Sequence, residues 1–246
     1  PATDSASTLD GYSDSTDAKF YGRPVLANNG KIYAIPSSSP TILVIDPTGA
    51  TDTYTTLAGY SDSTPHKYAA GGVLTSSGKI YAAPSKSSHI LIIDTNNDSY
   101  STVDISDSSN NKYYKLVLAE NGKLYALPHS ARQILVIDPS TDTHSFLEGY
   151  SDPSANKFYG AILVDKKIYA MPFDASSILI IDTETNTSST LTGYSDSATA
   201  KFYADPVFHD NLIFAVPQNT GTIAVIDPAT DTYSALSGYN PAVTTN

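Results

Sequence analysis

Gly30-Lys31-Ile32-Tyr33-Ala34-Ile35-Pro36, followed by Ile42-Leu43-Val44-Ile45-Asp46, is the stretch on which the fold turns. Ahead of it stand Tyr12-Ser13-Asp14, Lys19-Phe20-Tyr21 and Val25-Leu26, and the whole set returns, edited, four more times. The second copy reads Lys67-Tyr68, Val73-Leu74, Gly78-Lys79-Ile80-Tyr81-Ala82-Ala83-Pro84 and Ile90-Leu91-Ile92-Ile93-Asp94. The anchors Lys19, Lys67, Lys112, Lys157 and Lys201 lie 48, 45, 45 and 44 residues apart. Such a period belongs to a propeller or a solenoid, because a unit of this length buries its apolar faces only against its neighbours.

Each repeat reads as four short strands. The first, Phe20 to Ala27, ends at the hairpin signal Asn28-Asn29-Gly30, where Asn-Gly tolerates positive φ at both turn residues. The second, Lys31 to Ile35, stops at Pro36, which has no N–H for a ladder. The third, Ile42 to Ile45, is apolar without alternation, as suits a strand covered on both faces, and it ends in an Asp-Pro turn. The fourth, Thr53 to Leu57, leads into Gly59-Tyr60 and a polar loop. No segment has a helical period. The reading is an all-β, five-bladed β-propeller with four antiparallel strands per blade, forming one domain over residues 1–246.

The outer-strand signature occurs six times, from Thr8-Leu9 to Ala235-Leu236, for five blades. Residues 1–18 are therefore expected to supply an outer strand and loop, with the part near Ser7 to Tyr12 closing the ring, and residues 240–246 a tail. Pro1-Ala2-Thr3-Asp4 echoes Pro228-Ala229-Thr230-Asp231, so the chain is expected to be a mature or excised segment of a longer array.

These units resemble the YVTN, NHL and SMP-30-like propeller repeats. Asn29-Gly30-Lys31-Ile32-Tyr33-Ala34 with Val44-Ile45-Asp46 carries the likeness, as does Asn121-Gly122-Lys123-Leu124-Tyr125-Ala126 with Val136-Ile137-Asp138. The resemblance implies a propeller and leaves activity open, since such repeats serve lectins, scaffolds, hydrolases and lyases alike. The inserted Gly-Tyr-Ser-Asp loops and the Pro ending the second strand depart from it, and no catalytic residue is carried over.

Composition narrows the classes. A formal charge of -11 leaves no basic stripe for nucleic acid. With no cysteine there is neither a disulfide nor a thiol nucleophile. No run approaches the ~18 apolar residues of a membrane span. Hydroxyl and amide side chains replace charge on the surface, which goes with a secreted or cell-surface module, and a monomer is expected.

Two polar patterns stand out. Ser-Asp-x-x-x-x-Lys recurs five times and reads either as five equal sites for anions or sugar hydroxyls at Lys19, Lys67, Lys112, Lys157 and Lys201, or as five self-closing loops. The aromatics Tyr21, Tyr114, Tyr159 and Tyr203 form a ring that Ala69 interrupts. A second ring holds Tyr12, Tyr60, Tyr150, Tyr194 and Tyr239, and tyrosine in either suits sugar stacking or blade packing.

Departures from the repeat are the other signal. Arg23, Lys115 and Asp205 diverge at one inner-strand position and form a candidate polar cluster in the central channel. His89 and His129 lie on variable loops expected on the same face as the lysines, where binding usually resides. The sequence contains no P-loop, nucleophile elbow or metal-ligand spacing, so no catalytic residue, metal or cofactor is expected. The sequons at Asn97 and Asn186 sit on turns. The favoured function is a non-enzymatic binding or adhesion module for glycans or a surface protein. The alternatives are a hydrolase or lyase at the channel mouth and a structural spacer.

Overall fold

A computed structural model describes residues 15–49 and 51–236. The expected ring-closing strand and the tail at 240–246 lie outside these residues. Among the described residues every element is a strand, and the twenty strands make five four-stranded antiparallel sheets in which spatial order follows chain order. The fold is a five-bladed β-propeller.

Sheet one consists of Val25–Leu26, Ile32–Ala34, Leu43–Asp46 and Thr53–Thr56. Sheets two to five run from Val73–Leu74 to Ser99–Asp104, Tyr113–Leu118 to Thr143–Phe146, Phe158–Val164 to Thr187–Thr190, and Val207–His209 to Thr232–Ala235. They fall into two compact units, the first ending at Asp104 with sheets one and two, the second beginning at Ile105 with sheets three to five.

In sheets two to five the apolar residues of the third strands are buried, with Leu91, Ile93, Leu135, Ile137, Leu179 and Ile181 at most 2% exposed, whereas in sheet one only Val44 of that strand is buried. The cores lie between successive sheets of one unit. Ile35, Ile42 and Val44 of sheet one pack with Ile80, Leu91 and Ile93 of sheet two. Leu127, Ile134 and Val136 of sheet three pack with Ile168, Leu179 and Ile181 of sheet four. Burying one such side chain stabilises by about 1.5–3 kcal/mol, so sheets shielded by like sheets need no alternation.

First strands depart from the expected length. Val25–Leu26 and Val73–Leu74 are two residues long, whereas Tyr113–Leu118 and Phe158–Val164 are six and seven. The register explains the difference. Val25 and Val117 face the equivalent Tyr33 and Tyr125, yet one more residue separates Lys19 from Val25 than Lys112 from Val117. That residue falls in Gly22-Arg23-Pro24, Ala70-Gly71-Gly72 and Ala204-Asp205-Pro206, where Pro or Gly breaks the ladder. Sheets three and four lack it and run through, bulged. Their second strands also include the proline, paired across the bulge as Pro128 with Tyr113 and Pro172 with Phe158.

The first hairpin differs from the expected turn. Gly30 has φ 81° and its N–H donates to Ala27 O at 3.0 Å, while Asn29 is not left-handed. This is a four-residue turn ending on glycine. Both central residues are left-handed in sheet five, at Asp210 (φ 49°) and Asn211 (φ 62°). Asn29 serves instead through its side chain, which donates to Tyr33 Oη at 2.9 Å and to Thr95 O at 2.7 Å, tying sheet one to sheet two.

Candidate functional site

The repeated lysines are internal. Lys67, Lys112, Lys157 and Lys201 are 0% exposed. Lys67 Nζ donates to Ser39 O, Asp62 O and Thr64 O, each at 2.8 Å. Lys112 reaches Ser109 O at 2.5 Å, Lys157 reaches Asp152 O at 3.2 Å and also Ser154 O, and Lys201 reaches Ala198 O. Lys19, half-buried, reaches Thr16 O at 2.7 Å. The partner aspartates close the same loops: Asp62, Asp107, Asp152 and Asp196 each accept from the backbone N–H two residues on, at 2.8 Å. Burial pushes Lys112, Lys157 and Lys201 below the ordinary lysine value, partly offset by Asp107, Asp152 and Asp196. An ammonium sealed in carbonyl oxygens presents no surface to a ligand, so these four lysines leave the set of candidate contacts.

The residue before each lysine, Ala18, His66, Asn111, Asn156 or Ala200, has φ between 50° and 56°. That turn aims the lysine backbone at two sheets at once. In the second unit Lys157 N–H donates to His129 O at 2.7 Å and Lys157 O accepts from Phe173 N at 2.7 Å. Lys201 N–H then donates to Phe173 O at 2.9 Å, and Lys201 O accepts from Gln218 N at 2.7 Å. In the first unit Lys67 bridges Ser37 and Ser85 in the same way, at 2.8 and 2.6 Å.

This backbone belt positions the residue after each second-strand proline, and in sheets three and four that residue is aromatic. His129 stacks on Tyr114 with centroids 4.0 Å apart and planes at 17°, and meets the edge of Tyr159 at 4.9 Å. Tyr159 stacks on Tyr203 at 4.5 Å and 29°, with Phe173 beside it at 4.9 Å. Gly160 permits the approach of the fifth sheet, because a Cβ there would lie 2.1 Å from Ala204 O. Tyr203 is 47% exposed, Tyr114, Tyr159 and Phe173 are half-buried, and His129 is buried.

Beside the rings, Lys115 Nζ meets Asp205 Oδ2 at 2.6 Å, and Asp205 Oδ1 accepts from Ala161 N at 3.0 Å. Burial pushes the His129 imidazole down to about 4, with Lys157 adding to the effect and the Asn111 carbonyl and Asp174 opposing it. Its Nδ1 lies 3.2 Å from Asn111 O. Ser130 Oγ lies at the same 3.2 Å from Nδ1; a carbonyl only accepts, so the tautomer that satisfies Asn111 O carries its proton on Nδ1 and leaves Nε2 as acceptor.

Six of the residues singled out in the sequence therefore come together: Tyr114, Lys115, His129, Tyr159, Tyr203 and Asp205. Tyr21 (60% exposed), Arg23 (exposed) and His89 belong to the first unit. His89 Nδ1 lies 2.9 Å from Ser88 Oγ, in a cavity of about 260 Å³ with Tyr60, Tyr68 and Tyr100. The described members of the second tyrosine ring pack inward: Tyr60, Tyr150 and Tyr194 have buried hydroxyls without a hydrogen bond, and burial raises the pKa of each. The Tyr68 phenol, close enough to weigh on Tyr60, stays outside hydrogen-bond geometry. Phe173 was not foreseen as a site residue; its signal was its place immediately after Pro172, matching His129 after Pro128. Among the described residues no three His, Cys, Asp or Glu converge as a metal site.

Five four-stranded sheets and a cluster of aromatic side chains beside one ion pair define a repeat β-propeller with an asymmetric face on its second unit. The chain belongs to the family described as a repeat of unknown function (DUF6923), whose model matches residues 26–166. No curated protein matches it in sequence. Among solved structures it is similar to virginiamycin B lyase from Staphylococcus aureus, at 16% identity and TM-score 0.64, covering 90% of this chain and 71% of that one. It is also similar to the extracellular domain of a putative hybrid two component system from B. thetaiotaomicron, at 12% identity and TM-score 0.61, covering 87% and 29%. An auxiliary nutrient binding protein from Bacteroides ovatus aligns at 14% identity and TM-score 0.53, covering 88% and 57%. At these identities the likeness concerns the fold.

Proposed function

We propose that the protein is a non-catalytic binding module, secreted or held at a cell surface, that takes glycans on the Tyr114, His129, Tyr159, Phe173 and Tyr203 cluster. The observation that carries this reading is the Tyr159–Tyr203 stack, with Tyr203 half exposed, next to Lys115–Asp205. A tyrosine face offers apolar surface to the C–H side of a sugar ring while its hydroxyl stays wet. An adjacent ion pair supplies donors and acceptors for sugar hydroxyls. The belt holds the rings in place before a ligand arrives, which limits the entropy lost on binding.

A lyase is the second reading. Its support is the neutral His129 with Nε2 as acceptor in the same cluster, together with the likeness to virginiamycin B lyase. A glycan array probed with the wild type and with Tyr159→Ala and Tyr203→Ala tests the first. The expected result is retention of a defined glycan set by the wild type and at least tenfold weaker retention by both variants. A uniformly blank array, or variants that bind as the wild type does, would overturn it.

A further inference from the structure

Between sheets one and two, one carboxylate gathers two groups: Asp98 Oδ2 meets Lys31 Nζ at 2.5 Å, and Asp98 Oδ1 accepts from the Tyr33 hydroxyl. Between sheets four and five the arrangement repeats. Asp231 pairs with Lys167 and accepts from the Tyr169 hydroxyl at 2.6 Å. Both aspartates sit at the left-handed position of the outer hairpin, with φ 52° and 50°.

Between sheets three and four that position is Asn186, also left-handed at φ 55°. The tyrosine contact survives, with the Tyr125 hydroxyl 3.2 Å from Asn186 Oδ1. Asn121 Nδ2 donates to Tyr125 Oη at 3.0 Å, so the phenolic proton points to Asn186 Oδ1, the nearer acceptor, with Thr183 O at 3.5 Å, and an Asn186 whose Oδ1 faces the phenol keeps its NH₂ as a donor. The lysine contact does not survive. Lys123, equivalent to Lys31 and Lys167, has its Nζ 3.9 Å from Asp138 Oδ2 of its own sheet. Here a cavity of about 500 Å³ opens, lined by Lys123, Tyr125, Asn186, Glu120 and the Lys166–Glu184 pair, which meets at 2.6 Å.

We propose that this cleft is a second binding site, taking the carboxylate of a small sugar acid in the place that Asp98 and Asp231 fill in the sister seams. One carboxylate oxygen accepts from Lys123 Nζ and the other from Asn186 Nδ2. Glu120 and Glu184 oppose a multiply charged anion but accept hydroxyl donors, which selects a polyhydroxy monocarboxylate over phosphate. A cavity of this volume lies within the ordinary range for small-molecule sites. The site shares no residue with the aromatic cluster, so it stands or falls separately from the glycan reading.

The test is calorimetric titration with sodium glucuronate, with glucose as the neutral control and inorganic phosphate as the charged one. Glucuronate should bind and the two controls should bind at least tenfold more weakly. Asn186→Asp supplies the carboxylate from within, so it should cut glucuronate affinity at least tenfold while raising the melting temperature. Lys123→Gln should cut affinity as far with the fold retained. No glucuronate binding by the wild type, phosphate binding as tight as glucuronate, or undiminished affinity in Asn186→Asp and Lys123→Gln would overturn the proposal.

Discussion

The lysine belt and the aromatic cluster grow from the same loops, and they differ in repetition. Lys157 and Tyr159 are two residues apart, yet the first is sealed among carbonyl oxygens that every described copy supplies, and the second faces partners that only sheets three to five possess. The Lys67 network recurs with different residues around the same backbone atoms. The cluster cannot recur, because the position after the proline is Ser37, Ser85, His129, Phe173 or Gln218. In a repeat protein, what every unit needs for folding is repeated, and what one ligand needs is found where units disagree.

The largest way to break the contrast is Lys157→Met. It leaves Asp152 O and Ser154 O without their buried donor, and a loss of about 3 kcal/mol is expected, measurable as the shift of the urea midpoint. Next comes acidification. His129 has a folded pKa pushed down to about 4, below its unfolded value of about 6.5. The unfolded chain therefore binds more protons between those values, and stability should fall as pH drops from about 6.5 to 4, by roughly 2–3 kcal/mol. Denaturation curves across that window should flatten in His129→Gln.

Tyr203→Ala sharpens the contrast from the other side. Its ring is 47% exposed, so stability should change by under about 1 kcal/mol while retention on the array drops tenfold or more. The smallest effect belongs to Ala200, left-handed at φ 52° where sheets three and four use Asn111 and Asn156. Ala200→Asn keeps the N–H that donates to Asp174 Oδ1 at 2.9 Å and adds a side-chain amide whose local hydrogen bonding offsets the cost of the left-handed backbone, for a gain of about 0.5 kcal/mol visible in the melting temperature.

How much of this the sequence shows follows from the same distinction. The 45-residue period, the strand count and the apolar third strands could be read directly, because burial between like sheets is written into every copy. The first strand could not. Pro24, Gly71-Gly72 and Pro206 break it in three sheets, and only register against Tyr33 and Tyr125 shows which residue is extra. The lysines misled as candidate contacts for a physical reason. A charged residue in a polar loop suggests solvent, and only coordinates reveal the inward carbonyl oxygens. His129 was legible as a loop departure and Phe173 was not, since a phenylalanine in a variable loop carries no chemistry until Tyr159 and Tyr203 are placed beside it. The open seam at Asn186 hid behind a conservative exchange for Asp, whose effect lies in the lysine it releases.

The most direct measurement is an NMR titration of the wild type with a glycan retained on the array, followed residue by residue. The account predicts shifts concentrated at Tyr114, His129, Tyr159, Phe173 and Tyr203, with the Lys67, Lys112, Lys157 and Lys201 loops unmoved. Equal shifts at all the lysine loops, with the aromatic cluster silent, would contradict it.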